Sequence, residues 1–196
     1  TAAWYQNRSS NQLVGIPLPG TTGFTQIQAN LDATVENTGL EFTLRTVNFS
    51  TTNFNWTTSI NLSIARNELV TFPNLNSSTY KNKYRIGEPL NIQLEYKYIG
   101  LDPITGTYNF ADQNNDGTIS SPDDRQTVLN LNPDYFGGIQ NQLTYKRWKL
   151  DFLFQFVKQR NQSYTNGFAG YMTNQPQRMV NSWQQSGDTG PYQIYT

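Results

Sequence analysis

The feature that most constrains the fold is a long run in which apolar and polar side chains alternate. Between residues 54 and 64, one face carries Phe54, Trp56, Ile60, Leu62 and Ile64, and the other carries Asn, Thr and Ser. A period of two predicts a β-strand, because successive side chains of a strand point to opposite faces. The pattern extends over 53–68. It therefore exceeds the usual strand of about five or six residues and suffices for the nine to eleven residues that cross a bilayer at a tilt.

A second alternating segment, residues 135–158, predicts a hairpin with a tight turn at Lys146 and Arg147. Its apolar positions are Ile139, Leu143, Tyr145, Trp148, Leu150, Phe152, Phe154 and Phe156, and its polar positions are Gln140, Gln142, Thr144, Lys149, Asp151 and Gln155. An aromatic face opposite an amide and charged face is typical of a lipid-facing barrel wall. The core of a soluble β-sandwich is the other interpretation, and periodicity does not decide between them.

Shorter patterns complete the prediction of strands and loops. Leu40, Phe42 and Leu44 alternate with polar residues and indicate a strand within 35–45, followed by a turn at 50–53. Pro17 and Pro19 predict a loop at 13–20, since proline is excluded from central strands. If the turns at 50–53 and 146–147 both lie on the periplasmic side, residues 67–134 begin and end on the outer side. The alternating segment 90–98 is then expected to be a strand within that excursion or an extension of the barrel wall.

Composition excludes several kinds of chemistry. The chain has 196 residues, no cysteine and no histidine, which excludes disulfides, thiolate chemistry and imidazole catalysis. Its 14 basic and 14 acidic residues balance and give no indication of a nucleic-acid partner. The sequence shows no signal peptide and no apolar run long enough for a transmembrane helix. The first residues read as the end of a strand, so we expect a fragment of a longer protein.

Residues 112–124 carry the spacing of a calcium loop. The candidate ligands are Asp112, Asn114, Asp116, the backbone carbonyl of Thr118, Ser120 and Asp123, with Gly117 at the sharp turn. Calcium takes six to eight oxygen ligands, which alternate side chains of a twelve-residue loop can supply. The last position departs from the EF-hand pattern, because Asp123 stands where glutamate is usual. Asp is shorter, so Asp124 could share the closing role.

An Asx-rich turn that holds no ion is the alternative, because Asp, Asn and Gly are ordinary turn residues. The flanking segments 106–110 and 127–131 are expected to be extended rather than helical, so the loop would lie inside β-structure. Downstream, residues 161–191 are loop-like and rich in amides. Tyr164, Phe168, Tyr171, Trp183 and Tyr192 could stack on sugar rings, but packing anchors are the preferred interpretation.

Several motifs, in this order, resemble the C-terminal barrel region of the SusC/RagA family of TonB-linked outer-membrane proteins of Bacteroidetes. They are LPGTTGF at 18–24, Asn30 with VENTGLE at 35–41, the strand at 56–69, the segment 100–106, FADQNNDG at 110–117, NPDYFGG at 132–138, and Trp183 with SGD at 186–188 and Pro191. The likeness covers nearly the whole chain.

The resemblance implies an all-β fold, an incomplete antiparallel transmembrane β-barrel with long extracellular loops. Residues 1–196 would be part of the barrel domain, without its plug and final strands, and residues 99–134 an extracellular loop holding the calcium loop 112–124. The implied function is uptake of bulky nutrients, glycans or possibly peptides, across the cell outer membrane with a SusD-like lipoprotein and TonB. No enzyme activity is expected, because the carboxylates cluster in the cation loop and leave no separate acid/base pair. A secreted calcium-dependent carbohydrate-binding β-sandwich is the alternative function.

Overall fold

The fold is that of a computed structural model, which describes residues 1–17, 26–161 and 176–194. It contains β1 (Ala2–Pro17), β2 (Gln26–Ser50), β3 (Phe54–Thr71), β4 (Ile92–Glu95), β5 (Tyr98–Leu101), β6 (Tyr108–Phe110), β7 (Thr127–Asn130), β8 (Tyr135–Tyr145) and β9 (Trp148–Lys158), with 3₁₀ turns at Leu75–Ser77 and Gln177–Asn181. The chain divides into one unit of Thr1–Ile92 and Asn130–Arg160 and another of Gln93–Leu129 and Asn161–Thr196. Among the described residues, no helix has the length and hydropathy needed to span a bilayer.

The first unit is built on one antiparallel sheet with the strand order β1-β2-β3-β8-β9. Leu62 lies opposite Phe42 on one side and Gly137 on the other. The β2–β3 turn and the β8–β9 turn lie at the same end of the sheet, because Phe54 pairs with Tyr145. The excursion between β3 and β8 therefore begins and ends at the opposite end, as the parity of the predicted strands required.

The predicted loop at 13–20 is wrong over its first part. β1 continues to Pro17, which lies opposite Gln26 at the far end of the pair with β2. Proline is tolerated there because β1 is an edge strand and Pro17 is its last residue. The strand predicted within 35–45 is correct but runs further in both directions, as β2. The rest of the predicted loop, from Leu18, falls on residues outside the described ranges.

A small hydrophobic core lies at the end of the sheet away from the two turns. Leu69, Ala33, Phe72 and Leu75 are buried there together. The segment after β3 folds back onto this end, where the Leu69 N–H donates to Glu88 O at 2.9 Å and the Gly87 N–H donates to Leu69 O at 2.9 Å. Hydrophobic burial and backbone pairing thus hold the segment that follows β3 against the five-stranded sheet.

The second unit contains short strands that form two-stranded sheets and do not extend the five-stranded sheet. β5 pairs with β6, and β4 pairs with β7. The alternating segment 90–98 is therefore split between β4 and β5 and lies outside the five-stranded sheet. The predicted extended flanks of the 112–124 loop are confirmed, since β6 precedes it and β7 follows it.

Candidate functional site

One face of the five-stranded sheet is apolar and exposed. The register aligns Leu44, Ile60, Ile139 and Phe154 in one row across four strands. Phe154 is 63% exposed and Trp148 is 80% exposed. The alternation predicted for both hairpins is confirmed by these pairs, because residues two apart on each strand share a face.

The apolar band has clear ends. At the end with the turns it begins with Phe54, Tyr145 and Trp148, which lie in one row. At the other end, the row of Ile64 and Leu40 is followed by Thr38 opposite Arg66.

The next row beyond Thr38 and Arg66 is charged as well. There Glu36 lies opposite Glu68 and accepts a hydrogen bond from Arg8 in an ion pair. Ten residue steps separate Phe54 from Ile64, so the band is roughly 33 Å long measured along the strand.

The opposite face of the sheet carries a hydrogen-bonded polar network. Gln140 donates to Asp151 at 3.0 Å, and Gln142 donates to the same carboxylate at 3.0 Å. Further along the sheet, Asn67 donates to Asn37 at 2.7 Å. This face also carries apolar residues that the alternation did not predict as a group, namely Phe136, Leu153 and Val157, all exposed.

The first half of the 112–124 loop is organised around one carboxylate. Asp112 accepts the backbone N–H of Asp116 at 3.3 Å and that of Gly117 at 2.7 Å. Asn114 accepts the Asp116 N–H and donates its amide to the Asp116 carboxylate. Gly117 has a φ of 84°, which a side chain would strain. The structure therefore brings Asp112, Asn114 and Asp116 together around one turn.

The second half of the loop is closed by Asp124. Its carboxylate accepts the Gln113 N–H at 2.6 Å and the Ser120 N–H at 2.8 Å, and the residue is 0% exposed. The hydrogen bonds from the Ser120 and Gln113 backbone hold the pKa of Asp124 below its usual range. Asp123 is exposed. The alternative closing residue is thus the one that the structure ties across the loop.

The oxygen atoms in the first half of the 112–124 loop are of the kind that calcium prefers. The second half differs from a calcium loop, because Asp124 instead of Asp123 closes it. Asp112, Asn114 and Asp116 supply the hard oxygens that calcium prefers. Within residues 1–17, 26–161 and 176–194, no group of three or more acidic side chains converges on one point. A cation here would therefore rely on amide, hydroxyl and carbonyl oxygens such as those of Ser120 and Thr118 beside the carboxylates.

A second aspartate in the same unit shapes a tight turn. Asp102 accepts the backbone N–H of Ile104 at 2.7 Å and that of Thr105 at 3.3 Å. These bonds lower the pKa of Asp102, with the Ile104 N–H as the largest cause. Nothing in the sequence spacing had singled this turn out.

Trp183 is a packing anchor. It is 6% exposed, and its ring covers Gly106, where a Cβ would stand 2.2 Å from the Trp183 Cε3 atom. The Trp183 N–H donates to Tyr192 O at 2.9 Å. The anchoring interpretation is therefore confirmed for Trp183. Tyr164, Phe168 and Tyr171 lie outside the described residues.

A polar chain on the apolar face was missed in the sequence. The Trp56 indole N–H and the Thr58 hydroxyl both donate to Asn141 Oδ1, at 3.0 and 2.7 Å. Asn48 donates its amide to Thr58 at 2.6 Å and accepts the Thr46 hydroxyl at 2.8 Å. Thr58 is the one polar residue among the apolar-face positions of the run 54–64, and that interruption is the single sequence signal of this polar chain.

Comparison with known proteins gives a consistent pattern. No protein-family model matches the chain. TonB-dependent receptor P26 of Formosa agariphila is 28% identical over 175 residues, covering 78% of this chain and 18% of that protein. TonB-dependent receptor P3 of the same organism is 26% identical over 178 residues, with the same shares of each chain. The chain thus spans less than a fifth of the length of these relatives.

Among solved structures, the RagAB peptide transporter matches with a TM-score of 0.72 and 19% identity, covering 99% of this chain and 23% of that chain. The RagAB peptide importer in an open-open state matches with a TM-score of 0.70 and 19% identity. These likenesses confirm the fold as an all-β segment of a barrel. With the receptor relatives, they confirm the resemblance to SusC/RagA-type TonB-dependent transporters.

Proposed function

We propose that this chain forms part of the transmembrane wall and outer loops of a TonB-dependent outer-membrane transporter that imports a bulky nutrient. The observation that carries this proposal is the five-stranded antiparallel sheet with an exposed apolar face and a hydrogen-bonded polar face. A transmembrane barrel needs this division, because one face meets lipid and the other lines an aqueous interior.

The dimensions of the apolar band support a bilayer as its solvent. With a strand tilt of about 40°, the ten steps from Phe54 to Ile64 span roughly 25 Å along the membrane normal. That matches the apolar band of outer-membrane barrels, which is about 25 Å tall and bordered by aromatic residues. Tyr145 and Trp148 occupy one border, and Trp4 and Tyr135 the other.

The exposure of this face argues against the β-sandwich alternative. A sandwich buries its aromatic face under an opposing sheet. Here Phe42, Phe154 and Trp148 are 42%, 63% and 80% exposed. Large aromatic residues exposed along a whole sheet face are unfavourable in water and favourable in lipid.

The relatives support import as the activity and leave the cargo open. Two of them are named TonB-dependent receptors, and the matched structure is described as a peptide transporter. We propose a cargo that is a glycan or a peptide. A SusD-like lipoprotein would act at the outer opening, and TonB would act on a part of the whole protein outside this sequence. The chain would have no enzyme activity.

We further propose that the 112–124 loop holds calcium on the outer side. The side-chain oxygens of Asp112, Asn114 and Asp116 would bind it with Ser120, the Thr118 carbonyl and a carboxylate at Asp123 or Asp124. A bound divalent cation would link the two halves of the loop and order an outer excursion. The chain's own contribution, seen in the hydrogen bonds to Asp112 and Asp124, is to hold the loop closed without depending on the cation alone.

Detergent dependence of the full-length parent protein, prepared from outer membranes, tests the transporter proposal. Extraction only by detergent, together with barrel-type resistance to unfolding in SDS at room temperature, is the expected result. A freely soluble monomer would overturn the proposal and favour the secreted carbohydrate-binding module. Calcium content on the same sample is expected to be about one ion per chain, lost in Asp112→Ala and Asp116→Ala. A detergent-dependent protein without calcium would keep the transporter and reduce the loop to an ordinary turn.

A further inference from the structure

We propose that the apolar face binds one phospholipid of the periplasmic leaflet, in a groove next to the two short turns. The site extends the proposed function and rests on it, because the groove meets lipid only if this face is the outside of a barrel. The ligand is a diacyl lipid with a phosphate headgroup. Its phosphate would contact the cations of the second turn and its ester carbonyl the Asn141 amide, so that its glycerol backbone lies in the groove and its acyl chains continue along the apolar face past Ile139 and Phe154.

The groove is a depression of about 650 Å³ in the otherwise continuous apolar face. Aromatic and aliphatic walls come from Phe49, Trp56, Leu143 and Phe152. The depression exists because Thr58 and Asn141 form the row between larger neighbours, with Trp56 and Leu143 on one side and Ile60 and Ile139 on the other. A groove of this volume accommodates the glycerol backbone of a lipid and the first methylenes of its acyl chains.

The polar chain described above ends at this groove. Asn141 Oδ1 already accepts from Trp56 and Thr58. Its amide NH₂ has no partner among the described residues. An amide donor facing hydrocarbon without a partner is costly. The groove thus presents a hydrogen-bond donor to whatever fills it, and an ester carbonyl satisfies that donor where a bare alkyl chain cannot.

The charge around the turns matches a phosphate. Lys146 and Arg147 form the turn, and no acidic residue occurs in 45–66 or 135–150. The nearest carboxylate along the strand, Asp151, belongs to the polar face, where it binds Gln140 and Gln142. No carboxylate on the apolar face therefore neutralises Lys146 and Arg147 within these segments. This charge favours an anionic group beside the groove.

The spacing of these groups fits a single lipid. Five residue steps separate Asn141 from Lys146, roughly 13 Å along the normal at a 40° tilt. The interfacial layer of one leaflet, from ester carbonyls to headgroup, is roughly 5–8 Å thick. The remaining distance is covered by the Lys146 side chain, which folds back from the turn toward the border row. Lys146 Nζ lies 5.4 Å from the Tyr145 ring centre, which keeps it at this border.

The test uses the full-length parent protein, delipidated in a mild detergent and titrated with dioleoyl phosphatidylethanolamine under native mass spectrometry. Dioleoylglycerol, which lacks the phosphate, is the comparison ligand. We expect the first phospholipid molecule to bind the wild-type protein more tightly than any further molecules do. Asn141→Leu is expected to weaken the binding of this first molecule roughly tenfold, the cost of one hydrogen bond. The double change Lys146→Gln with Arg147→Gln is expected to abolish the preference for phospholipid over dioleoylglycerol. Gln142→Leu, next on the same strand but on the polar face, is expected to leave lipid binding unchanged.

The outcomes separate the lipid site from the proposed function. A detergent-dependent barrel whose lipid binding is equal in wild type, Asn141→Leu and the double variant overturns the lipid site and keeps the transporter. Equal binding of phospholipid and dioleoylglycerol to wild type also overturns it. A protein that needs no detergent overturns both. If Asn141→Leu does not assemble, the double variant decides alone, because its residues lie in an exposed turn.

Discussion

The backbone N–H of Lys146 donates to the carbonyl of Asn53 at 2.8 Å, which joins the β8–β9 turn to the β2–β3 turn. The two turns are 93 positions apart in the sequence, counting from 53 to 146. Their contact shows that both hairpin turns lie at the same end of the five-stranded sheet. The segment 72–134, which joins β3 to β8, therefore leaves and rejoins the sheet at the opposite end.

This arrangement predicts opposite sides of the membrane for the turns and the excursion. Single cysteines in the parent protein at Thr52 or Arg147 should resist a membrane-impermeant maleimide in intact cells. Cysteines at Lys81 or Thr118 should react, since both are exposed in the excursion. Permeabilised cells should label all four positions, which controls for intrinsic reactivity. Labelling of Thr52→Cys in intact cells would reverse the topology.

A charge on the apolar face should hinder assembly more than the same charge on the polar face. Phe154→Arg lies near the middle of the band, where arginine facing lipid costs about 2–4 kcal/mol. Gln155→Arg, the adjacent residue, turns its charge to the polar face and should cost far less. Urea unfolding of the parent protein in lipid vesicles measures both. Equal losses would show that Phe154 does not face lipid.

The loop carboxylates should differ in importance. Asp124→Asn removes the charge that accepts two backbone N–H groups, so the loop should open and become sensitive to protease between 112 and 124. Asp123→Asn changes an exposed group and should leave protection unchanged in calcium-free buffer. Limited proteolysis of the parent protein in chelator compares them. Greater sensitivity in Asp123→Asn would contradict the closure by Asp124.

The lowered pKa of Asp124 also predicts a pH dependence of the loop. Because its folded-state pKa lies below the ordinary value, its stabilising contribution is full above about pH 4, the unfolded pKa. The contribution is lost as the pH falls through the folded pKa. The protection of the residue 112–125 amides, measured relative to their intrinsic exchange rate at each pH, should therefore stay constant down to about pH 4 and fall at lower pH. Asp124→Asn should remove this pH dependence, whereas Asp123→Asn should retain it.

The contact between Gly106 and Trp183 predicts a glycine requirement. Gly106 has a φ of 71°, and a Cβ there would overlap the Trp183 ring. Gly106→Ala should destabilise the local fold by roughly 1–3 kcal/mol. Gly87→Ala is the matched control, with a φ of 83° and open space around it, and should cost only about 1 kcal/mol. Hydrogen exchange over 102–108 and 181–194 separates the two, and equal exchange would exclude a steric role for Trp183.

Local patterns predicted the strands of the wall, because the direction of a side chain in a strand depends only on its position along the strand. The sequence therefore predicted the alternation from Phe54 to Ile64 and from Trp148 to Phe156. The proline rule failed at Pro17 for a tertiary reason, since only the strand order shows that β1 is an edge. The sharp turn at Gly117 was also predictable, because neighbouring residues determine it.

Contacts between distant residues could not be read in advance. That Asn141 accepts from Trp56 and Thr58 depends on the register of β3 against β8, and a shift by one residue would move Asn141 to the other face. That Asp124 rather than Asp123 closes the loop depends on which carboxylate meets the Gln113 and Ser120 N–H groups. The sequence by itself determined which side chains share a face, because that is a property of one strand. Only the tertiary structure decided which of them meet across strands, because register and loop closure are set by backbone pairing between segments far apart in the chain.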